Sequence, residues 1–370
     1  MSAETGRFSW PQGFAEGPAN RDALLVLTGM QGLTPRAVVE LSERFGDASG
    51  CLVAVVAGRG GSDADRRHAA GTDPRHVRAT LEACRARMVV PGTQEYPPGM
   101  LALPDPPAAL FVRGTPLDQL LPGVAVVGSR SGSSLGRDIA RALGRGLAAS
   151  GITVVSGAAR GIDGASHEGA LLVEGGGTVA VLGSGIDVAY PQRNAGLLAR
   201  IEASGAIVSE YPPGVPAEPR RFPARNRLIA AAGIALVIIE GAAGSGTLIT
   251  CDHALGLGRP VYAVPGPVNS PLSEVPLKLI RDGATMIRGA DDLLLDLGLA
   301  GEGSDGQLAI AGLTSVEEAV LAQLAGPTLP EHVARELELT VADVVPVLMQ
   351  LELRGVVRAA GGRYERCLPG

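Results

Sequence analysis

The run Arg220-Arg221-Phe222-Pro223-Ala224-Arg225-Asn226-Arg227 places four guanidiniums within eight residues and no acidic side chain among them, and it leads directly into Leu228-Ile229-Ala230-Ala231. Cations at the start of a helix oppose its macrodipole, so such a cluster is expected to hold an anion. Phe222 adds a ring on which an unpaired base can stack, which a solubilising loop would not need. A second group is Gly128-Ser129-Arg130-Ser131-Gly132-Ser133-Ser134-Leu135-Gly136. Its small residues let backbone amides approach a phosphate, and Arg130 reads as a clamp beside a helix start. Two further stretches, Ser156-Gly157-Ala158-Ala159-Arg160-Gly161-Ile162-Asp163 and Gly244-Ser245-Gly246-Thr247-Leu248-Ile249-Thr250, present hydroxyls and amides of the same kind.

These loops do not spell a nucleotide-cofactor site. The first is not Gly-x-Gly-x-x-Gly, Ser156-Gly157 supplies no acid for a ribose hydroxyl, and no Gly-x-x-x-x-Gly-Lys-Ser/Thr loop occurs. Asp163 and His167, four apart, would share a helix face as an acid/base pair or metal ligands. No third ligand or nucleophile accompanies them, so a structural bond tying the helix to its loop is the preferred reading. No Gly-x-Ser-x-Gly elbow is present. The expectation is a binding protein and not an enzyme, with no cofactor, metal or catalytic residue.

Positioning these loops requires a parallel sheet. Between Ala125 and Gly289, short β-branched runs alternate with helical stretches, the pattern of strands joined by crossover helices. The predicted strands are Val124–Val127, Ile152–Val155, Val179–Leu182, Ile207–Glu210, Leu236–Ile239 and Val261–Val264. Their ends would line the carboxyl edge, where open α/β sheets bind ligands.

Before this core, Ala23 to about Ala57 reads as two helices about a turn at Gly29–Gly32. Such a hairpin can bind phosphates through turn amides or serve only as a packing module. A polar loop is expected around Gly58–Asp73 and a helix near Pro74–Arg87. Gly298–Gly312 reads as a Gly-rich acidic linker, and Leu313–Arg366 as a winged helix. The fold class is thus α/β: a helical segment (1–88), an extended Rossmann-like core (89–297), a linker (298–312) and a winged helix (313–370).

Charge separates these segments. The 370 residues carry a net −6, but residues 1–123 hold 12 basic and 13 acidic side chains, residues 124–290 hold 15 and 12, and residues 291–370 hold 5 and 13. Polyanion binding follows the local field, which places the site in the middle segment. The acidic tail favours protein contact or autoregulation over DNA binding for the winged helix. Cys51, Cys84, Cys251 and Cys367 lack metal or disulfide spacing and read as free thiols. With no signal-like start, and Leu228–Ile239 too short to span a bilayer, the chain is expected to be cytoplasmic and not membrane-bound.

The strings VAVVGSR, SGAARGIDGASHEGAL, TVAVLGSGIDVAYP, SEYPPG, FPARNRLIAA, GSGTLIT and GRPVYAVPGPV occur in series. In order and spacing they resemble the DNA-processing protein A (DprA, also called Smf) family, and the likeness extends over the whole chain. The resemblance implies a pocket for single-stranded DNA at the carboxyl edge, a homodimer, and delivery of the strand to the RecA recombinase in natural transformation or recombination. The candidate DNA-binding residues are Gly128, Ser129, Arg130, Ser156, Gly157, Arg220, Arg221, Phe222, Arg225, Asn226, Arg227, Ser245, Gly246, Thr247 and Lys278. The chain departs from the family at Ser133 and Leu135, where Thr and Tyr are usual, and at Leu277, where Asn is usual. The competing reading is a nucleotide phosphoribohydrolase of the lysine decarboxylase-like group, which carries Pro-Gly-Gly-x-Gly-Thr with a catalytic Glu. Here the corresponding Gly241–Thr247 loop lacks that Glu.

Overall fold

Successive residues of a strand face opposite sides of a sheet. In the strand Gly123–Gly128, Val124 and Val126 enter one buried cluster and Ala125 and Val127 another. A strand apolar on both faces needs helices above and below it, and the computed structural model has that three-layer form. It describes residues 8–299, 314–324, 326–353 and 356–366.

The first part of the chain forms α1 (Gly17–Leu27), α2 (Pro35–Phe45), α3 (Ala48–Val56), α4 (Asp63–Gly71) and α5 (Pro74–Ala83). Next come β1 (Arg87–Val89), α6 (Pro98–Leu101), β2 (Leu110–Gly114), β3 (Gly123–Gly128), α7 (Ser134–Ala149), β4 (Val154–Ser156), α8 (Ile162–Ala170) and β5 (Thr178–Leu182). The core ends with α9 (Ala195–Ser204), β6 (Ala206–Ser209), α10 (Arg221–Ala232), β7 (Gly233–Ile239), α11 (Thr247–Gly256), β8 (Val261–Ala263), α12 (Glu274–Arg281), β9 (Thr285–Met286) and α13 (Ala290–Asp296).

Among the described residues the sheet has nine strands in the order β1-β2-β6-β5-β4-β3-β7-β8-β9. All six predicted strands are present within it and run parallel to one another; β1 and β2 add an antiparallel edge, with β2 against β6. From β3 the chain runs outward through β4, β5 and β6, then returns to lay β7 on the other side of β3. The strand order therefore reverses between β3 and β7, and the crevice outside their carboxyl ends is where such sheets bind ligands. Helices α7, α8 and α13 cover one face, and α10, α11 and α12 cover the other.

The N-terminal helices depart from the expected hairpin. The second predicted helix breaks at Gly46, which adopts φ 78°, and Asp47 caps a third, α3. The expected loop around Gly58–Asp73 contains α4, because Ser62 and Asp65 form a reciprocal capping box. Buried Asp65 also accepts the Gly32 amide at 3.0 Å. That turn amide is thereby spent inside the protein, which fits the packing role of the hairpin.

His167 of α8 is fully buried, and its Nδ1 lies 2.6 Å from Thr178 Oγ1. The Thr178 hydroxyl donates to Val154 O at 2.9 Å, so it must accept from His167, which fixes the Nδ1–H tautomer. This is the structural bond expected from the sequence, though it reaches β5 and not the preceding loop. Burial, reinforced by Arg225, pushes the imidazole pKa down to about 3. The folded state then refuses a proton that the unfolded chain accepts below about pH 6.5. The group's effect is absent above that pH, and stability falls as pH drops from about 6.5 towards 3, at up to about 1.4 kcal/mol per pH unit. Denaturant titrations across this range should show that slope, and His167→Gln should flatten it.

The contacts divide the chain into the units Met1–Leu297 and Gly298–Gly370. In the second, α14 (Ser315–Ala322), α15 (Pro330–Glu336) and α16 (Val341–Leu353) precede the antiparallel pair β10 (Val357–Ala360) and β11 (Arg363–Arg366), a winged-helix arrangement around Val320, Val333, Val344 and Leu348. Cys367 and all but the first two residues of the expected linker lie outside the described residues. Among those described, Cys51, Cys84 and Cys251 are free thiols. No helix among them is long and apolar enough to cross a membrane.

Candidate nucleic-acid interface

The β3–α7 and β7–α11 loops meet at the switch point and wall a pocket of about 540 Å³. Gly128, Ser129 and Arg130 come from the first loop, and Ser245, Gly246 and Thr247 from the second. Phe222, Arg225 and Asn226 enter from the opening turns of α10. Nine of the fifteen candidate residues thus converge on one cavity within the usual ligand range of about 300–1,000 Å³.

Glu240, at the end of β7, holds the two loops together. It adopts φ 54°, and its carboxylate accepts the Ser133 amide at 2.8 Å and the Ser133 hydroxyl. Ser133 also caps α7 by accepting from Gly136 at 2.9 Å. The start of α7 therefore already faces a carboxylate from its own chain. Further back in the loop, the Ser129 amide donates to Glu240 O at 3.0 Å and the Ser131 amide to Ser129 Oγ at 3.1 Å.

At the floor, Arg225 is buried and donates to Val181 O. Among the described residues its Nε has no hydrogen-bond partner, nor does the buried Oγ of Ser245. Burial pulls the Arg225 guanidinium down to about 10, with Asp163 opposing and Arg130 adding to the fall, so it stays charged at neutral pH. Asp163 also lines the pocket, and burial raises its carboxyl pKa against the pull of Arg225. Asn226 reaches Gly246 O at 3.4 Å, a long bond across the pocket.

At the rim, Arg130 is exposed and its guanidinium lies 5.2 Å from the Phe222 ring centre. The Phe222 ring is half-buried, 5.1 Å from Tyr190 at an interplanar angle of 34°. A Cβ added at Gly183 would sit 2.9 Å from the Phe222 ring, so that glycine makes room for it. Tyr190 is 50% exposed and turns a free aromatic surface to the cavity. Sequence reasoning missed it, although it stands in the motif string at Val188-Ala189-Tyr190-Pro191.

The remaining six candidates lie outside the pocket lining. Ser156 is buried and donates to Val126 O at 2.6 Å, a bond between adjacent strands. Gly157 lies behind Arg225, and any Cβ there would overlap the guanidinium. Arg220 pairs with Glu218 at 2.7 Å, and buried Arg221 lies 3.4 Å from Glu218 and 5.0 Å from the Tyr211 ring centre. Arg227 is buried between Glu210 at 2.7 Å and Asp105 at 3.0 Å. Lys278 is exposed and pairs with Asp282. The arginine run was expected to need an external anion. For three of its four arginines, the fold supplies carboxylates from outside the eight-residue window.

A family model described as DNA recombination-mediator protein A matches residues 87–298, and one described as DprA winged helix domain matches residues 307–363. Protein Smf of Escherichia coli (strain K12) is 38% identical, covering 77% of this chain and 79% of that protein. The putative DNA processing protein DprA of Mycobacterium tuberculosis is also 38% identical, over 75% and 76%. Among solved structures, DNA processing protein A from Streptococcus pneumoniae aligns with a TM-score of 0.66 and 32% identity, covering 76% of this chain and 98% of that one. The same protein from Helicobacter pylori, whose structure addresses its single-stranded DNA binding mode, aligns at 0.52 with 26% identity over 58% and 95%. By its motifs, its sheet and these likenesses, the chain belongs to the DNA recombination-mediator protein A (DprA/Smf) family.

Proposed function

We propose that the pocket at the β3/β7 switch point binds single-stranded DNA, and that the protein, a cytoplasmic homodimer, hands the strand to RecA without chemistry on it. The observation that carries the binding step is a cationic floor with spare donors. Among the described residues, the buried Arg225 Nε and Ser245 Oγ lack hydrogen-bond partners, and Arg130 at the rim is in no ion pair. Leaving a buried charged donor unmet costs about 1–3 kcal/mol or more, which a phosphate oxygen relieves. Homodimerisation and delivery to RecA rest on the family resemblance, as does the role in transformation or recombination.

Selectivity for single strands follows from Tyr190 and Phe222. A base stacks on an aromatic face only when it is out of a duplex. Tyr190→Ala and Phe222→Ala are each expected to cost roughly 1–3 kcal/mol of single-strand affinity and leave duplex binding nearly unchanged. Because the two rings touch, the double substitution should cost less than the sum. Fluorescent oligonucleotides, single- and double-stranded, measure this directly, with melting curves as the control for folding. Duplex affinity falling in step with single-strand affinity would remove the stacking role. Hydrolysis of nucleoside monophosphates by the same preparation would favour the phosphoribohydrolase reading instead.

A further inference from the structure

A second groove, of about 780 Å³, opens beside the pocket and shares Arg130, Ser131 and Ala159 with it. Four more arginines reach it from separate elements: Arg137 on α7, Arg160 before α8, Arg193 before α9, and Arg200 on α9. On α9, Gly196 and Arg200 lie one turn apart on the groove side, while Leu198 and Ile201 are buried in the core. All four arginines are exposed. Arg137 bonds its own helix start at Gly132 O, and Arg160, Arg193 and Arg200 have no carboxylate partner among the described residues. The lining's carboxylate, Glu168, is already held by Arg141 at 3.1 Å.

Five guanidiniums around one hollow repel one another unless an anion enters, and a concave wall concentrates their field. No aromatic side chain lines the groove, so it has nothing on which to stack a base. Its chemistry is that of phosphate backbone alone. We propose that it is a second phosphate-binding groove, into which a strand seated in the pocket continues past Arg130. This rests on reading the pocket as a single-strand site and adds a length requirement to it. A short strand fills the pocket, whereas a longer one also gains the contacts of Arg160, Arg193 and Arg200.

The test uses the full chain with oligothymidylates of about four and about sixteen nucleotides, the bounds of typical single-strand site sizes. In the R160A/R193A/R200A variant the short strand should bind as before. The long strand should lose roughly a hundredfold in affinity near 0.1 M salt, its log–log salt slope falling by about 2, at about 0.7 per lost contact. The corresponding triple lysine variant should keep long-strand affinity, since counterion release counts charge and not fork geometry. Unchanged long-strand binding overturns the groove while short-strand binding still upholds the pocket. Equal loss at both lengths also overturns it, by placing these arginines within the first site. If the unmodified protein binds neither strand, the pocket reading falls and the groove with it.

Discussion

Arg227→Ala is expected to destabilise the core by about 3–5 kcal/mol, the cost of removing one partner from a buried ion pair and stranding the other. Burial alone would draw the Arg227 guanidinium down, yet the carboxylates of Glu210 and Asp105 outweigh it and hold the group above its ordinary value. Glu210 is itself only 8% exposed, so without Arg227 its charge would stay in the interior uncompensated. For a unit of this size the loss amounts to a fall in Tm of roughly ten degrees. Arg227→Lys should recover little, because one ammonium cannot reproduce a fork that spans two carboxylates. Below the melting transition, binding of single-stranded DNA and its salt slope should be unchanged, since Arg227 is turned away from the pocket. A variant that melts normally but binds with a reduced salt slope would return Arg227 to the DNA site.

That expectation reverses what the sequence alone suggests for this residue, and the reason is distance along the chain. Arg227 meets Asp105 across 122 positions and Glu210 across 17, so nothing in the local run of arginines announces either carboxylate. Glu218 stands two residues before Arg220, just outside the acid-free window. The six parallel strands were legible because their β-branched runs are buried on both faces and end in small residues. The antiparallel β1 and β2 were not, since they lie outside the alternation of strands with crossover helices and each is polar or glycine at one end. α4 was hidden by its polar composition, even though Ser62 and Asp65 stand at capping-box spacing. Loop chemistry singled out Gly128–Arg130 and Ser245–Thr247, and the structure brings them to one cavity, because sheet topology forces those loops together. It did not distinguish arginines that line the cavity from those that brace α10.

Arg225 is the arginine of the run for which a binding role and a structural one must be separated by experiment. Arg225→Ala should weaken single-strand binding by about 1.5–3 kcal/mol, the scale of a hydrogen bond to a charged group, or roughly ten- to a hundredfold. It would also leave Asp163 buried without its opposing charge, so lost binding alone would not identify a DNA contact. Gly157→Ala resolves the ambiguity. The added methyl would overlap the Arg225 guanidinium, which is the far end of a flexible side chain, while the backbone at Gly157 has no left-handed φ to forbid a side chain. The guanidinium should shift off the pocket floor with its charge intact, losing its bond to Val181 O at a smaller cost in Tm than Arg225→Ala. Single-strand affinity should fall by a similar factor, and the salt slope by about 0.7 for the one misplaced phosphate contact. Normal affinity in Gly157→Ala, with nuclear magnetic resonance or a crystal structure showing the side chain displaced, would make Arg225 a structural partner of Asp163 and Val181 and leave Arg130 to hold the phosphate.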